Sequence, residues 1–120
     1  MYQGLRVAVV IPAHNEERLI GRVVSTMPDL VDHIIVVDDA SSDDTARAAK
    51  SVPDQRAEVI TLVENQGVGG AILVGHQRAL ALDADVSVVM AGDAQMDPDF
   101  LPPLLDPICA GEAQFTKANR

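Results

Sequence analysis

An apolar stretch, Val88-Val89-Met90, gives way to Ala91-Gly92-Asp93-Ala94-Gln95-Met96-Asp97-Pro98. Carboxylate and amide oxygens thus follow directly on a buried strand, and Pro98 is placed to open a helix. Asp93 and Gln95 stand two apart on a loop, so both oxygens can reach one ion. Hard oxygen donors without soft partners suit Mg2+ or Mn2+, and such an ion can bridge to phosphates. Asp97, just before Pro98, fits a helix cap as well as a ligand. The plain alternative for the whole segment is a polar turn.

Two more runs carry possible chemistry. Pro12-Ala13-His14-Asn15-Glu16 follows one apolar strand, and Asp38-Asp39-Ala40-Ser41-Ser42 follows another. Asp38 and Asp39 are adjacent, so an extended chain points them in different directions. One faces a ligand and the other orients backbone or caps the next helix; the bland reading is that both cap. A carboxylate here can accept from the imide N–H of uracil or the imino and amino N–H groups of guanine. Pro12 fixes the chain where a flat base could lie. Glu16 contacts the nucleotide or caps its own helix. His14 reads as a turn residue before a catalyst, and His33 and His76 receive no role. Asp43 and Asp44 support a helix start. Gly67-Val68-Gly69-Gly70-Ala71 fails the dinucleotide fingerprint, because Ile72 holds the third glycine position and the run follows the third strand. Close backbone approach is the safer reading. Together these loops point to an enzyme that handles a nucleotide sugar.

The elements that must position these loops alternate regularly. Val7–Ile11, Ile34–Val37, Val59–Val63 and Val86–Met90 are short continuous apolar runs, as expected of strands covered on both faces. Leu19, Ile20, Val23, Val24 and Met27 recur at helical spacing, and Pro28 closes that helix. Ser42 or Asp43 can cap a helix over about Thr45 to Ser51. Gly67-Val68-Gly69-Gly70 is expected to be a flexible turn into a helix carrying Ile72, Leu73, Leu80 and Leu82. A further helix is expected from about Pro98 to Cys109, and Gln114-Phe115-Thr116-Lys117 is expected to open a fifth strand. Such alternation implies one mostly parallel sheet with right-handed crossovers. Ligands in such sheets bind beyond the carboxyl ends of the strands, and every polar loop named above lies there.

Bulk composition sets limits. The chain of 120 residues can form one domain, 1–120, with 48% apolar residues and only three aromatics, Tyr2, Phe100 and Phe115. Its net charge of -9 argues against a nucleic-acid partner. The same charge would repel a nucleotide unless a metal or local amides offset it, which makes a metal site more plausible. Cys109 is alone, so no internal disulfide forms, and a reduced cytoplasmic setting fits. No apolar run reaches the ~18 residues of a membrane span, and Met1–Arg6 lacks a signal-peptide layout. The abrupt end at Lys117–Arg120 reads as a fragment.

Three segments carry a family likeness: Val10-Ile11-Pro12-Ala13-His14-Asn15-Glu16, Val36-Val37-Asp38-Asp39-Ala40-Ser41-Ser42-Asp43-Asp44-Thr45 and Gly92-Asp93-Ala94-Gln95-Met96-Asp97-Pro98. In this order they resemble the N-terminal part of family 2 glycosyltransferases of the GT-A fold, nearest the polyprenyl- or dolichol-phosphate mannosyl- and glucosyltransferase branch. The resemblance runs from Arg6 to Arg120 and implies an α/β fold: a GT-A-type, Rossmann-like, mostly parallel sheet flanked by helices, here truncated. It places Pro12, His14 and Glu16 along the nucleotide pocket and Val37 and Asp39 at the base. It puts Ala91, Gly92 and Asp93 beside the nucleotide, Asp93 and Gln95 on Mg2+ or Mn2+, and Arg120 on phosphate groups. Ala91 departs from the pattern, since the family usually has an aspartate there. Ala118 replaces a usual glycine.

The implied reaction is inverting transfer of a hexose from a UDP- or GDP-linked sugar to an acceptor, a polyprenyl phosphate at the membrane. The full-length protein would then work at the inner membrane face, this chain supplying the donor-binding half without turnover by itself. A non-catalytic nucleotide-binding fragment is the alternative. A sugar nucleotidyltransferase is disfavoured because Pro12–Arg18 has no glycine-rich basic loop. An open sheet edge would favour a homo-oligomer.

Overall fold

The computed structural model describes residues 4–90 and the main chain of 116–117. Its elements are β1 (Val7–Ala13), α1 (Ile20–Ser25), β2 (His33–Asp38), α2 (Thr45–Lys50), β3 (Ala57–Thr61), α3 (Gly67–Ala81), β4 (Val86–Val89) and β5 (Thr116–Lys117). The strands form one sheet in the order β3-β2-β1-β4-β5. Every neighbouring pair is parallel. The fold is the mostly parallel α/β sheet expected from the strand runs.

The continuous apolar strands are buried on both faces. Val7, Val9, Ile11 and Ala13 of β1 join Ile20, Val23 and Val24 of α1 in one core layer. Ala8 and Val10 of the same strand join Ala71 and Ala79 of α3 in the other. β2 alternates in the same way, with Ile34 and Val36 to one side and Ile35 and Val37 to the other. The chain steps outward from β1 through β2 to β3, then doubles back to β4. One hand of crossover therefore puts α1 and α2 on one face and α3 on the other. The reversal falls between β1 and β4, where ligands of such sheets bind.

Two helices depart from the sequence expectation. The glycines of Gly67-Val68-Gly69-Gly70 were expected in a turn, but they form the first turn of α3. The face of α3 against the sheet is Ala71, Gly75 and Ala79, not its leucines. Leu73 is 58% exposed and Leu80 76% exposed, while Ile72 and Leu82 pack only partly. The cause is crowding: a Cβ on Gly75 would overlap the Val10 side chain, so the helix lies too close to β1 for large residues between them. Helix α1 ends at Ser25, short of the expected Met27. There the Arg56 guanidinium donates to the carbonyls of Met27 (3.2 Å), Pro28 (2.8 Å) and Val31 (2.9 Å), so those acceptors need no helix.

Asp54 holds that guanidinium in place, with a 2.8 Å contact from Arg56 Nη2 to Oδ2 and a 3.0 Å contact from Nε to Oδ1. Arg56→Ala should cost about 2–3 kcal/mol, because it strands several carbonyls at once. The hydrogen bond from Arg56 also holds the Asp54 carboxyl below its ordinary range. A depressed carboxylate stabilises the fold above its unfolded pKa, and that contribution is lost as pH falls through the folded value. Stability to urea should therefore fall below about pH 4, and less steeply in Arg56→Ala, which keeps only the main-chain N–H bond to Asp54.

Among the described residues, no helix is long and apolar enough to cross a membrane.

Candidate functional site

The first and second strands end side by side, with Pro12 opposite Val37 and Ala13 opposite Asp38. Two loops leave these ends, and side chains stitch them together. The Asp39 N–H donates to the Ala13 carbonyl at 2.8 Å. Asn15 donates its N–H to Ser41 Oγ at 2.9 Å, and its Oδ1 accepts from the Ser42 N–H at 2.9 Å. Asn15 sits at φ +55, a left-handed turn that asparagine tolerates well. Thr45, wholly buried, takes the Glu16 N–H on Oγ1 at 2.9 Å and donates the same hydroxyl to Asp43 Oδ1. That hydrogen bond lowers the Asp43 carboxyl pKa. The result is a rigid shelf across the carboxyl ends of β1 and β2.

Thr45→Val keeps the shape and removes both hydrogen bonds. It leaves the Glu16 N–H without its acceptor beside a buried site, which should cost about 2 kcal/mol. Chemical unfolding measures it; a loss under about 0.5 kcal/mol would mean that solvent replaces the hydroxyl.

The two aspartate side chains turn to different main-chain donors. Asp38 Oδ1 accepts from the Ser41 N–H at 3.1 Å, so it orients its own loop. Asp39, 4% exposed, turns toward the start of α3, and its Oδ1 accepts from the Gln66 N–H at 2.6 Å. The Asp39 carbonyl accepts from His14 Nδ1 at 2.8 Å and from Asn65 Nδ2 at 3.3 Å. A carbonyl only accepts, so the His14 proton lies on Nδ1. Nε2 is then the acceptor for Asn15 Nδ2 at 3.4 Å. His14 is thereby a turn residue that braces Asp39, as its position in the loop suggested.

Pro12, His14, Glu16 and Asp39 are thus brought together at the adjoining carboxyl ends of β1 and β2. The Glu16 carbonyl seats α1 by accepting from Leu19 (3.0 Å) and Ile20 (2.8 Å) N–H groups. Val37 is fully buried in the α3-side layer, so any contact with a base runs through its main chain. Met90 N–H donates to the Val10 carbonyl at 3.0 Å, which brings the chain entering Ala91 alongside β1. Ala91, Gly92, Asp93, Gln95 and Arg120, and with them the expected metal ligands, lie outside the described residues. Among the described residues no group of three His, Cys, Asp or Glu side chains could hold a metal ion. Sequence reasoning missed Asn65 and Gln66 as partners of Asp39. An Asn shortly before glycines is a local turn signal, but nothing local names the residue it will meet.

Comparison with known proteins follows the same lines. The family model described as "Glycosyl transferase family 2" matches residues 8–120. The UDP-N-acetylglucosamine–dolichyl-phosphate N-acetylglucosaminyltransferase of Methanococcus voltae is 31% identical over 93% of this chain and 51% of its own length. The polyprenol monophosphomannose synthase of Mycolicibacterium smegmatis is 36% identical over 88% of this chain and 42% of its own. Glucosyl-3-phosphoglycerate synthase from Mycobacterium tuberculosis, solved with Mn2+, UDP-glucose and phosphoglyceric acid, superposes with a TM-score of 0.72 at 32% identity. That match covers 91% of this chain and 41% of the synthase, which has also been solved with Mg2+ and UDP. The chain spans about half the length, or less, of these relatives.

Proposed function

The chain belongs to glycosyl transferase family 2, and from that membership we propose that it binds the nucleotide-sugar donor of an inverting hexosyltransferase whose acceptor is a polyprenyl phosphate. The observation that carries this reading is the stitched shelf of Pro12–Glu17 and Asp38–Thr45, with Asp39 beneath it, at the carboxyl ends of β1 and β2. A base lies against Pro12 and is read by Asp39; His14 and Asn65 hold Asp39 in position. Relatives solved with UDP and Mn2+ or Mg2+ support a divalent ion on the diphosphate. Asp93 and Gln95 are the residues of this chain whose oxygens suit that ion. When bound, the ion neutralises charge that builds on the departing diphosphate.

The names of relatives that act on dolichyl phosphate or make polyprenol monophosphomannose support a lipid-phosphate acceptor. A phosphate monoester is already anionic near neutral pH, so this branch of chemistry asks little of a general base. The setting that fits is the cytoplasmic face of a membrane, with self-association through exposed sheet edge.

Ala91 favours a second reading, nucleotide binding without transfer, because it removes an acid that the family usually carries beside the donor. One experiment separates the readings. Radiolabelled sugar is offered as the UDP- or GDP-linked donor with polyprenyl phosphate, Mn2+ and the protein, and product is counted in the lipid phase. Metal-dependent transfer supports the enzyme. Tight, EDTA-sensitive nucleotide binding without transfer by the chain or a longer form of it supports the binding module. Absence of both removes the donor-site reading altogether.

A further inference from the structure

Strand β3 closes one side of the sheet, and its outer edge is open. The Arg56 carbonyl accepts from the Ile34 N–H at 2.9 Å, and the Leu62 N–H donates to the Asp38 carbonyl at 2.9 Å. Backbone groups alternate sides along a strand, so Glu58 and Ile60 face β2 while Ala57, Val59 and Thr61 face away. The Ala57 N–H is taken by the Asp54 carbonyl at 3.1 Å. Among the described residues, the Ala57 carbonyl and both backbone groups of Val59 and Thr61 have no protein partner. The usual guards of an edge are also missing. Ala57–Thr61 contains no lysine or proline, and its register with β2 runs without a bulge. Its one charge, Glu58, is held by Arg78 Nε at 2.8 Å. Ala57, Val59 and Ile60 are only half-buried, whereas Ile34–Val37 of the neighbouring strand are fully buried.

We propose that β3 pairs antiparallel with β3 of a second copy, centred on Val59, so that two five-stranded sheets join into one. The occupant is a second copy because the strand is complementary to itself. About a two-fold axis at Val59, the two Val59 residues exchange both backbone hydrogen bonds. Each Thr61 N–H meets the partner's Ala57 carbonyl, an acceptor that is still open. The Ala57 N–H is already taken, and the Thr61 carbonyl opposite it stays in water at the end of the ladder. Val59 lies against the partner's Val59, a β-branched cross-strand pair, and Glu58 stands opposite the partner's Ile60, so no like charges face each other. The strands of the two copies point opposite ways, so both shelves at the carboxyl ends of β1 and β2 stay open. This gives the self-association proposed above one edge and one register, and it stands whether or not the chain binds a nucleotide. Each copy carries a net charge of -9, which opposes the pairing, so added salt should strengthen it.

Sedimentation equilibrium of the 120-residue chain from low to high micromolar concentration, at low and high salt, tests this. The mass should climb from 12.7 kDa toward twice that, and further with salt. Thr61→Pro removes an N–H that β2 does not use, so the monomer keeps its fold, and association should weaken at least about tenfold. Cysteine variants read the register in a Cys109→Ser background. Val59→Cys meets its own twin at a distance that a disulfide spans, so mild oxidation should give a covalent dimer. Thr61→Cys, opposite the partner's Ala57, should give little. A chain that stays monomeric throughout would overturn the pairing and the self-association together. A dimer untouched by Thr61→Pro and not cross-linked by Val59→Cys would overturn this edge and move the contact to another surface, such as the exposed Leu73 and Leu80 of α3. Cross-linking of Thr61→Cys in preference to Val59→Cys would overturn the register. Each of these results leaves the donor-site reading standing, since sugar transfer and nucleotide binding are measured separately.

Discussion

Gly75→Ala should destabilise the fold by about 3 kcal/mol, at the upper end of the cost of overpacking a core. The added methyl would overlap Val10 Cγ1, and it would lie only 3.1 Å from Val10 Cγ2 and 3.2 Å from Val10 Cβ. Val10 is fully buried in the central strand β1, so it cannot swing away into solvent. Helix α3 must rise off the sheet instead, which loosens Ala71 and Ala79 against Ala8, Val37 and Val89. The ordinary preference for alanine over glycine inside a helix, about 1 kcal/mol, works the other way and loses. Urea unfolding measures the effect, and a double-mutant cycle assigns it. Gly75→Ala combined with Val10→Ala should cost less than the sum of the two single changes, since the second opens room for the first. Strict additivity would show that the methyl is accommodated elsewhere.

This contact also marks where the sequence stops being legible. The strands could be read directly, because Val7–Ile11 and Ile34–Val37 are apolar without alternation and so demand cover on both faces. The helix α3 could be located but not oriented. Hydrophobicity assigns Leu73 and Leu80 to the core, yet the β-branched side chains of the sheet already fill the space that they would need. Small residues win that face by fit, a property of the opposing surface and not of the helix. The end of α1 was hidden for a similar reason, since Arg56, which caps it, lies 28 residues beyond Pro28. At the site, the adjacency of Asp38 and Asp39 announces that they must diverge. Which one turns toward α3 depends on Asn65 and Gln66, more than 25 residues away. Local spacing identified the loops; the long-range hydrogen bonds that lock them into a shelf have no local signature.

Asp39→Asn should abolish most nucleotide affinity while leaving the free protein close to its original stability. The substitution preserves shape but leaves one acceptor oxygen where the carboxylate had two. In the unliganded protein, that oxygen can keep the 2.6 Å contact to the Gln66 N–H, and the amide nitrogen turns toward the Oδ2 side. Unfolding stability should then fall by less than about 1 kcal/mol. A base that offers an N–H to the same group now meets the amide nitrogen. Rotating the amide through half a turn does not help, because the nitrogen then confronts Gln66. One of two donors is stranded in either rotamer, and the charge that strengthened the hydrogen bond is gone. The expected loss is about 2–3 kcal/mol of binding free energy, or roughly 30- to 150-fold in Kd. Asp39→Ala should differ in kind: it also frees the Gln66 N–H at the start of α3, so stability and affinity should both decline. The test is the contrast between the two variants in UDP titration and thermal unfolding. Unchanged UDP affinity in Asp39→Asn would place the base elsewhere on the shelf and make Asp39 a brace for α3 alone.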